Sequence, residues 1–263
     1  MTAGLIRDDT GAVMGVPARV SRIVSLVPSL TETVAVTAPG LVAGATDWCT
    51  HPAGLDVPRV RGTKNPDLEA VTALRPDLVL ANEEENRAAD LAALRAAGLP
   101  VWVTVIRTLD EALASLRRLL TVACRLPAPA WLDAAAQAWE GSGPDPPQTR
   151  RAAIPVWRRP WMVLGSDTFA GDVLDRLGVA NVYAGHAERY PKVALDGILA
   201  TRPDLVVLPD EPYRFTAADG PESFPGVPAA LVSGRHLTWY GPSLAEAPQL
   251  LAAQLAAASL FRP

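Results

Sequence analysis

Cysteine and histidine are scarce in this chain, which limits the metal and redox chemistry open to it. The 263 residues include two cysteines and three histidines. Cys49 and Cys124 lie far apart without zinc-type spacing, so neither a disulfide framework nor a zinc motif is indicated, and we expect both thiols to be reduced or buried. His51, His186 and His236 lack histidine partners two or four residues away, which disfavours a bare-ion site built on histidine.

Positive charge is also in deficit. The chain has 24 Lys and Arg against 28 Asp and Glu, a formal net charge of −4. Proteins that bind nucleic acid present a basic stripe, whereas the longest basic cluster here, Arg150-Arg151 with Arg158-Arg159, is short and broken by apolar residues. We therefore expect no nucleic-acid partner.

Signal and membrane segments are also missing from the sequence pattern. A secretory signal has a basic start, an apolar run and a small-residue cleavage site, and residues 1–9 show none of these. No lipobox cysteine lies near the start, and no apolar run approaches the roughly 20 residues of a membrane helix. The sequence as written predicts a cytoplasmic protein without membrane insertion. A trimmed or misplaced start would change that prediction to an extracytoplasmic location.

Strand-like and helix-like segments alternate along most of the chain. A hairpin is predicted over residues 5–16, where two short runs flank a turn-forming group. Apolar runs such as 22–27 and 77–81 then alternate with helical patterns such as 87–97. This alternation predicts an α/β fold with parallel sheets.

Two helix starts are predicted from capping signals. Ser29 and Glu32 have capping-box spacing, directly after the first apolar run. Asn65 stands before Pro66 and an acidic first turn, so we expect Asn65 to cap the next helix.

An internal repeat is the strongest single feature of the sequence. Residues 68–80 resemble residues 195–207 at a constant offset of 195 − 68 = 127, and both contain Arg-Pro-Asp-Leu-Val. Acidic, polar loops follow, at residues 82–87 and 209–214. One repeat at so long a period predicts two similar lobes rather than a solenoid. Open α/β sheets bind ligands beyond the carboxyl ends of their strands, where these loops should lie.

The lobes are predicted to be joined by helices. Residues 108–140 show no strand signal and keep helical leucine spacing, although two prolines interrupt them, and a loop rich in Gly and Pro follows at 141–147. We predict an N-terminal α/β lobe over residues 1–107, a helical linker over 108–143 and a C-terminal α/β lobe over 144–263.

Residues 22–32 and the repeated unit of helix, Arg-Pro-Asp-Leu-Val and polar loop resemble the helical-backbone (class III) substrate-binding proteins of ABC importers. The likeness runs from about Arg22 to Leu260 and is greatest for the cobalamin-binding branch. It implies two similar Rossmann-like lobes with parallel sheets, joined by a helical linker, and a ligand held in the cleft between them. It also implies a monomer that binds a metal chelate, above all cobalamin or another corrinoid, has no cofactor besides that ligand, and works with an ABC permease.

The resemblance further implies a set of ligand contacts. Aromatic rings suit a flat macrocycle because stacking buries much area at small entropic cost, and polar residues in strand-end loops add hydrogen bonds. The candidates are Ser29, Trp48, Lys64, Trp157, Asp167, Tyr190, Tyr213, Trp239 and Tyr240. Lys64 departs from the family pattern, which has an aromatic residue near this position, and would meet a carboxylate or phosphate of the ligand.

Several of these positions have a structural alternative. Trp48 would instead pack on its own lobe, and at least one of Trp157 and Trp161 is expected in the core. The acids at 83–85 favour a solvated surface over a ligand-facing role. Tyr213 is a better candidate than the acids in its own loop, because it offers both a ring face and a hydroxyl.

Glu69 and Asp196 carry a separate hypothesis. The repeat relates them (196 − 69 = 127), and each falls in a predicted first helical turn. The resemblance implies that one acid on each lobe meets arginines of the transporter. The alternative is that both acids oppose a helix dipole, and the two interpretations are compatible.

No Ser-His-Asp group, Cys-His pair or Walker-type phosphate loop is visible, so the sequence predicts a binding protein, not an enzyme, without catalytic or metal-ligating residues. Haem or a ferric siderophore is the alternative ligand, and a histidine could then be an axial ligand. A chelatase-like, tetrapyrrole-modifying enzyme is the alternative of another class and would need a histidine beside an acid. A cytoplasmic carrier derived from an importer component is a third.

Overall fold

The computed structural model describes residues 4–142 and 149–259, and these form two compact units. Unit 1 contains the chain up to Ile106, with Asp110–Asp133 and Tyr240–Pro242. Unit 2 contains Arg107–Leu109, Ala134–Trp239 and the chain from Ser243 onward. Most of the loop predicted at 141–147 lies outside the described residues. The division into parts at 1–107, 108–143 and 144–263 stays a prediction.

Unit 1 is built on a parallel sheet of four strands. Its elements in chain order are β1 (Gly4–Arg7), β2 (Val13–Val16), β3 (Ile23–Ser25), α1 (Pro28–Thr37), β4 (Val42–Ala45), β5 (Arg61–Gly62), β6 (Asn65–Pro66), α2 (Leu68–Ala73), β7 (Leu78–Asn82), α3 (Ala88–Ala96), β8 (Val101–Thr104) and most of α4 (Leu109–Arg118). The sheet order is β4-β3-β7-β8, with every pair parallel. Strands β1 and β2 form the hairpin predicted over residues 5–16.

Unit 2 repeats this arrangement. Its elements, with the helix that leads into it, are α5 (Ala130–Trp139), β9 (Arg150–Ala153), β10 (Pro155–Trp157), β11 (Met162–Val163), α6 (Phe169–Arg176), β12 (Val179–Asn181), α7 (Leu195–Ala200), β13 (Leu205–Pro209), β14 (Ala229–Val232), α8 (Gly234–Thr238) and α9 (Ala247–Ala256). The sheet order is β12-β9-β13-β14, again all parallel. Two α/β units with parallel sheets confirm the predicted fold class.

The sequence repeat is a repeat of structure. Helix α2 and strand β7 reappear as α7 and β13 with bounds shifted by the same 127 residues (195 − 68 and 205 − 78). Two residues beyond the end of each helix lies an arginine in the left-handed region, Arg75 or Arg202, both with φ of 46°. The proline that follows has no amide hydrogen and cannot continue a helix, so the Arg-Pro pair turns the chain into the next strand.

The aspartate of the repeated motif ties two strands together. Asp77 Oδ2 accepts hydrogen bonds from the backbone amides of Ser21 (2.7 Å) and Arg22 (3.0 Å), just before β3. In unit 2, Asp204 Oδ2 accepts from the amide of Arg151 in β9 at 2.9 Å. Burial would raise the pKa of Asp77, but the hydrogen bonds from Ser21 and Arg22 and the Arg22 charge outweigh it and lower the pKa.

Each sheet has its own apolar core. In unit 1 the core residues include Val24, Leu26, Val79, Leu94 and Val103. In unit 2 they include Ala153, Ile198, Val206, Leu208, Phe215 and Phe224. No helix in the described part of the chain combines the length and apolarity needed to cross a bilayer.

The segment predicted as helical contains two separate helices. Helix α4 continues into a π-turn over Leu119–Ala123, closed by a 2.8 Å bond from the amide of Cys124 to the carbonyl of Leu119. Arg125 then adopts a left-handed φ of 58°, and α5 begins only at Ala130. The prolines at 127 and 129 fall in this gap, as expected for residues that do not fit a helix interior.

Both capping predictions are wrong in detail. Ser29 lies inside α1, because Val27 is the residue before the helix and Pro28 occupies its first turn. Helix α2 is capped by Asp67 rather than Asn65, and the Asp67 carboxylate accepts from the amide three residues later at 3.0 Å. Asn65 instead belongs to the short strand β6.

Candidate functional site

The strand order places a topological switch point in each sheet. In unit 1 the chain runs from β3 to β4 on one side of β3 and then crosses to β7 on its other side, so the topological switch point lies between β3 and β7. In unit 2 the strands β9, β12 and β13 follow the same order, so the switch point lies between β9 and β13. Open α/β sheets bind ligands outside the carboxyl ends of the strands at such points. The start of α1, the loops after β7 and β13, and the segment after β9 are therefore the candidate positions.

Ser29 and Tyr240 meet at this edge of unit 1. Ser29 lies one turn beyond β3, and the C-terminal part of the chain returns Tyr240 to unit 1; both are buried. Burial raises the pKa of Tyr240 well above its ordinary value, and the charges of Glu85 and Glu84 raise it further, while the neighbouring hydroxyls of Ser29 and Thr104 lower it in part. The phenol therefore stays protonated at neutral pH.

The loop after β7 is held by asparagine side chains. Asn82 Oδ1 accepts from the amides of Glu84 (2.8 Å) and Glu85 (3.2 Å), and Asn86 Oδ1 accepts from the amide of Asn82 (2.9 Å). Lys64 is exposed, and its Nζ donates to the backbone carbonyl of Glu84 at 2.5 Å. The predicted contact Lys64 thus lies beside this loop.

Trp48 follows β4 and presents its ring to solvent. The side chain is 65% exposed. Its Nε1 lies close to Gly62, where an added Cβ would come within 3.2 Å of it and within 2.4 Å of Asn65 Oδ1. Packing on its own unit therefore leaves most of the indole uncovered.

Unit 2 carries a connected aromatic group. Trp157, at the end of β10, is 42% exposed and meets the ring of Tyr213 edge-on, with centroids 5.7 Å apart. Tyr213 contacts Phe215 (4.7 Å), and Trp161 stacks on Phe215 (6.1 Å) and meets Phe224 edge-on (5.4 Å). Trp161 packs against the core, as expected for one of the two tryptophans, while Trp157 remains accessible.

A polar network supports these rings. The Tyr213 hydroxyl donates to Asp219 Oδ2 at 2.6 Å, and this bond raises the pKa of Tyr213. The Arg158 guanidinium pairs with Asp219 and with Glu222 (2.6 Å to Glu222 Oε1) and lies 5.3 Å above the Trp161 ring. Sequence reasoning missed these two acids, because they belong to a loop that only the fold brings to Arg158.

The loop after β13 places a carboxyl group against the start of α8. Asp210 Oδ1 accepts from the amide of Gly234 at 2.6 Å. Glu211 packs so closely on Gly234 that an added Cβ would lie 2.3 Å from Glu211 Cγ. Burial raises the pKa of Glu211 to about 7 and the Asp210 charge adds to the rise, while the Arg235 charge and a hydrogen bond from Trp239 lower it in part.

The repeat relates Glu211 to Glu84 (211 − 84 = 127). Both side chains are half-buried, and within the described residues the Oε1 atom of each is buried without a hydrogen-bond partner. An unpaired buried acceptor costs free energy and calls for an explanation. The interpretation of residues 83–85 as solvated surface suits exposed Glu83 but is wrong for this oxygen of Glu84.

The other predicted contacts lie elsewhere in unit 2. Asp167 is exposed, has a left-handed φ of 54°, and pairs with Arg107 (3.1 Å) and Arg189 (3.5 Å). Tyr190 is exposed. Trp239 is buried. These placements neither establish nor remove a ligand-binding role, which stays a prediction.

Glu69 and Asp196 are both exposed, in the first turns of α2 and α7. Neither carboxylate is buried within its unit. The docking role predicted for them is not tested by this placement.

The histidines do not join other ligand-type side chains into a metal cluster. Within residues 4–142 and 149–259, no three His, Cys, Asp or Glu side chains converge in a way that could hold a metal ion. His236 is buried, with Nδ1 2.7 Å from Ser233 Oγ and Nε2 2.9 Å from Glu246 Oε1. Cys49 and Cys124 are free and buried, as predicted.

Comparison with known families and relatives gives consistent results. The family model described as periplasmic binding protein matches residues 23–222. A vitamin B12-binding protein of Pectobacterium carotovorum is 26% identical, over 90% of this chain and 89% of its own length. A vitamin B12-binding protein of Vibrio cholerae is 25% identical, over 75% of this chain and 73% of its own length.

Solved structures share the fold. The periplasmic vitamin B12-binding protein BtuF of Vibrio cholerae gives a TM-score of 0.72 at 18% identity and covers 90% of this chain and 97% of its own. A periplasmic heme-binding protein of Pseudomonas aeruginosa gives 0.70 at 22% identity, covering 91% and 94%. CeuE of Helicobacter pylori with Ni(II) bound gives 0.80 at 13% identity, covering 96% and 88%.

Proposed function

Since this chain belongs to the periplasmic binding protein family of ABC importers, we propose that its ligand is a metal chelate, and specifically cobalamin or another corrinoid. As a member of that family the chain is a solute-binding protein, not an enzyme. Binding and release without chemistry are therefore its activity.

The observation that carries the ligand proposal is that each unit exposes a tryptophan in a segment that follows a strand of its sheet, β4 in unit 1 and β9 in unit 2. Trp48 in unit 1 and Trp157 in unit 2 leave much of their indole surface in solvent. An exposed indole suits a large flat macrocycle, because a rigid ring covers apolar area without ordering a flexible side chain. Relatives named for vitamin B12 binding, aligned over as much as 90% of this chain, support the same ligand.

Haem or a ferric siderophore is the second candidate, because a heme-binding protein shares the fold. Two features of this chain favour a corrinoid. Haem carries carboxylate side chains, whereas the loop after β13 presents Asp210 and Glu211, which would repel them. Arg158 is engaged by Asp219 and Glu222, which reduces its value for pairing with a propionate.

For the partner, we propose an ABC permease that contacts Glu69 and Asp196, and a location outside the cytoplasmic membrane. The support is the family membership and the exposure of both acids at repeat-related positions. Uptake of labelled cobalamin by cells tests it. Replacing both acids by alanine should abolish uptake and leave ligand affinity unchanged, whereas unimpaired uptake would contradict the docking role.

Calorimetric titration of the purified protein with hydroxocobalamin, and separately with haemin, tests the ligand. Saturable one-to-one binding of cobalamin at micromolar or tighter affinity, roughly −8 kcal/mol, is the expected result. Binding of haemin alone would select the second candidate. The absence of measurable binding with both ligands would rule out the proposal that the ligand is a tetrapyrrole.

A further inference from the structure

Glu84 and Glu211 occupy one position in two copies of the same unit. Each is the second residue after the third strand of its sheet, β7 or β13, at the edge where the switch point lies. Each has a buried Oε1 without a hydrogen-bond donor among the described residues. Because the same oxygen atom lacks a donor at equivalent positions in both units, we interpret the unpaired carboxyl group as a functional feature of this position.

The neighbours of Glu211 hold the carboxyl group without satisfying it. On its own loop Asp210 repels it, and from α8 Arg235 attracts it, although Arg235 also lies 3.6 Å from Glu246. Trp239 bonds to the carboxyl, and His236, also on α8, is engaged by Glu246. The close approach at Gly234 leaves no room for a side chain there.

The neighbours of Glu84 leave its carboxyl group in a similar state. Lys64, a neighbouring cation, donates to the backbone carbonyl of Glu84. Asn82 accepts from the backbone amide of Glu84, so it too engages the main chain only. The negative charges of Glu84 and Glu85 both act on the buried phenol of Tyr240. The fold therefore fixes the Glu84 backbone and leaves Oε1 unsatisfied.

We propose that Glu211, and Glu84 as its counterpart in unit 1, are ligand-directed carboxyl groups that select ligands carrying N–H donors over ligands carrying carboxylates. A buried acceptor without a donor is costly in the free protein, and a ligand donor placed on it recovers that cost as affinity. A ligand carboxylate placed against either group would meet an unpaired acceptor and, where that group is ionised, like charge.

The inference rests on the proposed function and refines it. The periphery of a corrinoid carries carboxamides, whose NH2 groups are donors, whereas haem presents two propionates. Carboxyl groups at these two positions would favour the first ligand and disfavour the second. The same chemistry would also accept a cationic ligand, since a cation is a donor without a repelling charge.

The test uses the full chain and four variants: Glu84→Gln, Glu211→Gln, the double variant and, as a matched control, Glu83→Gln in the exposed neighbour. Titrations with hydroxocobalamin and haemin give the ratio of the two dissociation constants. We expect the double variant to lose about tenfold in cobalamin affinity and to shift the ratio toward haemin by more than tenfold. The control should keep both values.

Thermal unfolding of the ligand-free variants separates a ligand role from a structural one. If the carboxyl groups serve the ligand, replacing a carboxyl group whose Oε1 is buried and unpaired leaves Tm unchanged or raises it. A lower Tm for either variant, or an unchanged ratio in the double variant, would overturn the inference while leaving cobalamin binding in place. If the unaltered protein binds haemin and not cobalamin, or binds neither, the proposed ligand and this inference are both wrong.

Discussion

The hydroxyl of Tyr213 donates a 2.6 Å hydrogen bond to Asp219 Oδ2, and the same carboxylate is paired with Arg158. Asp219 thereby fixes both the ring that meets Trp157 and the guanidinium that covers Trp161. One acid in a loop thus orients the aromatic surface of unit 2. Its effect on ligand binding should be indirect, through the rings it holds.

Asp219→Asn should lower cobalamin affinity by about three- to tenfold, because Tyr213 and Arg158 lose the carboxylate that orients them. The pKa of Tyr213 should fall at the same time, since its bond to Asp219 is the largest cause of the present rise. Calorimetry and ultraviolet titration of the tyrosines measure the two effects. Tyr183→Phe, which removes a hydroxyl bonded to the Gly197 carbonyl, is the control. Unchanged affinity in Asp219→Asn would show that the ring needs no such support.

Trp48→Ala and Trp157→Ala should each weaken cobalamin binding by about 2 kcal/mol, or roughly thirtyfold, as for an aromatic anchor. Both rings are well exposed, so the free energy of unfolding should change little. Trp161→Ala offers the opposite profile: it should cost on the order of 3 kcal/mol of stability, because its ring packs on Phe215 and Phe224 in the core. Denaturant unfolding measures the stability of each variant and calorimetry its affinity. A loss of stability in Trp48→Ala or Trp157→Ala, without a loss of affinity, would contradict the prediction.

The stability of the protein should carry a pH signature from Glu211. Its pKa is raised to about 7 by burial and by Asp210, so the folded state holds a proton that the unfolded state has released near pH 4.5. The contribution of Glu211 to the free energy of unfolding is therefore most favourable below pH 4.5, where both states are protonated. This contribution is lost as the pH rises from 4.5 toward and through 7. Glu211→Gln lacks this titration. The difference in Tm between the variant and the unaltered protein should therefore grow from pH 5 to pH 8, and a constant difference would contradict the assignment.

The aspartates of the repeated motif should matter for stability and not for binding. Asp77→Asn and Asp204→Asn each weaken charge-assisted bonds to a strand backbone and should destabilise the protein by about 1–3 kcal/mol. The pKa of Asp77 is lowered in the folded state, so its contribution is present above the unfolded pKa and is lost as the pH falls through the folded value. Urea unfolding at pH 7 and pH 3 measures this, with exposed Asp196→Asn as the control. Loss of cobalamin affinity at unchanged stability would be the contrary result.

Local sequence patterns predicted the architecture, because apolar periodicity and turn-forming residues directly favour particular strands, helices and helix ends. The alternation of apolar runs and helical patterns predicted the parallel sheets, and the offset of 127 residues predicted α7 and β13 from α2 and β7. The Arg-Pro-Asp signal works locally: a left-handed arginine ends the helix, and proline prevents its continuation. Capping signals were less dependable: Asp67 rather than Asn65 caps α2, and α1 begins at Pro28 without a side-chain cap, so that Ser29 falls inside the helix.

The sequence by itself thus determined the fold class, the duplication and the segments that reach the carboxyl edges of the sheets. The tertiary structure alone decided which side chains there are exposed, buried or paired. Tyr240 is a member of unit 1 only because the chain returns to it, and Arg158 meets Asp219 61 residues further on. Burial and pairing depend on atoms contributed by distant segments, so no window of sequence contains them. For the same reason, only the folded chain reveals the unsatisfied oxygens of Glu84 and Glu211.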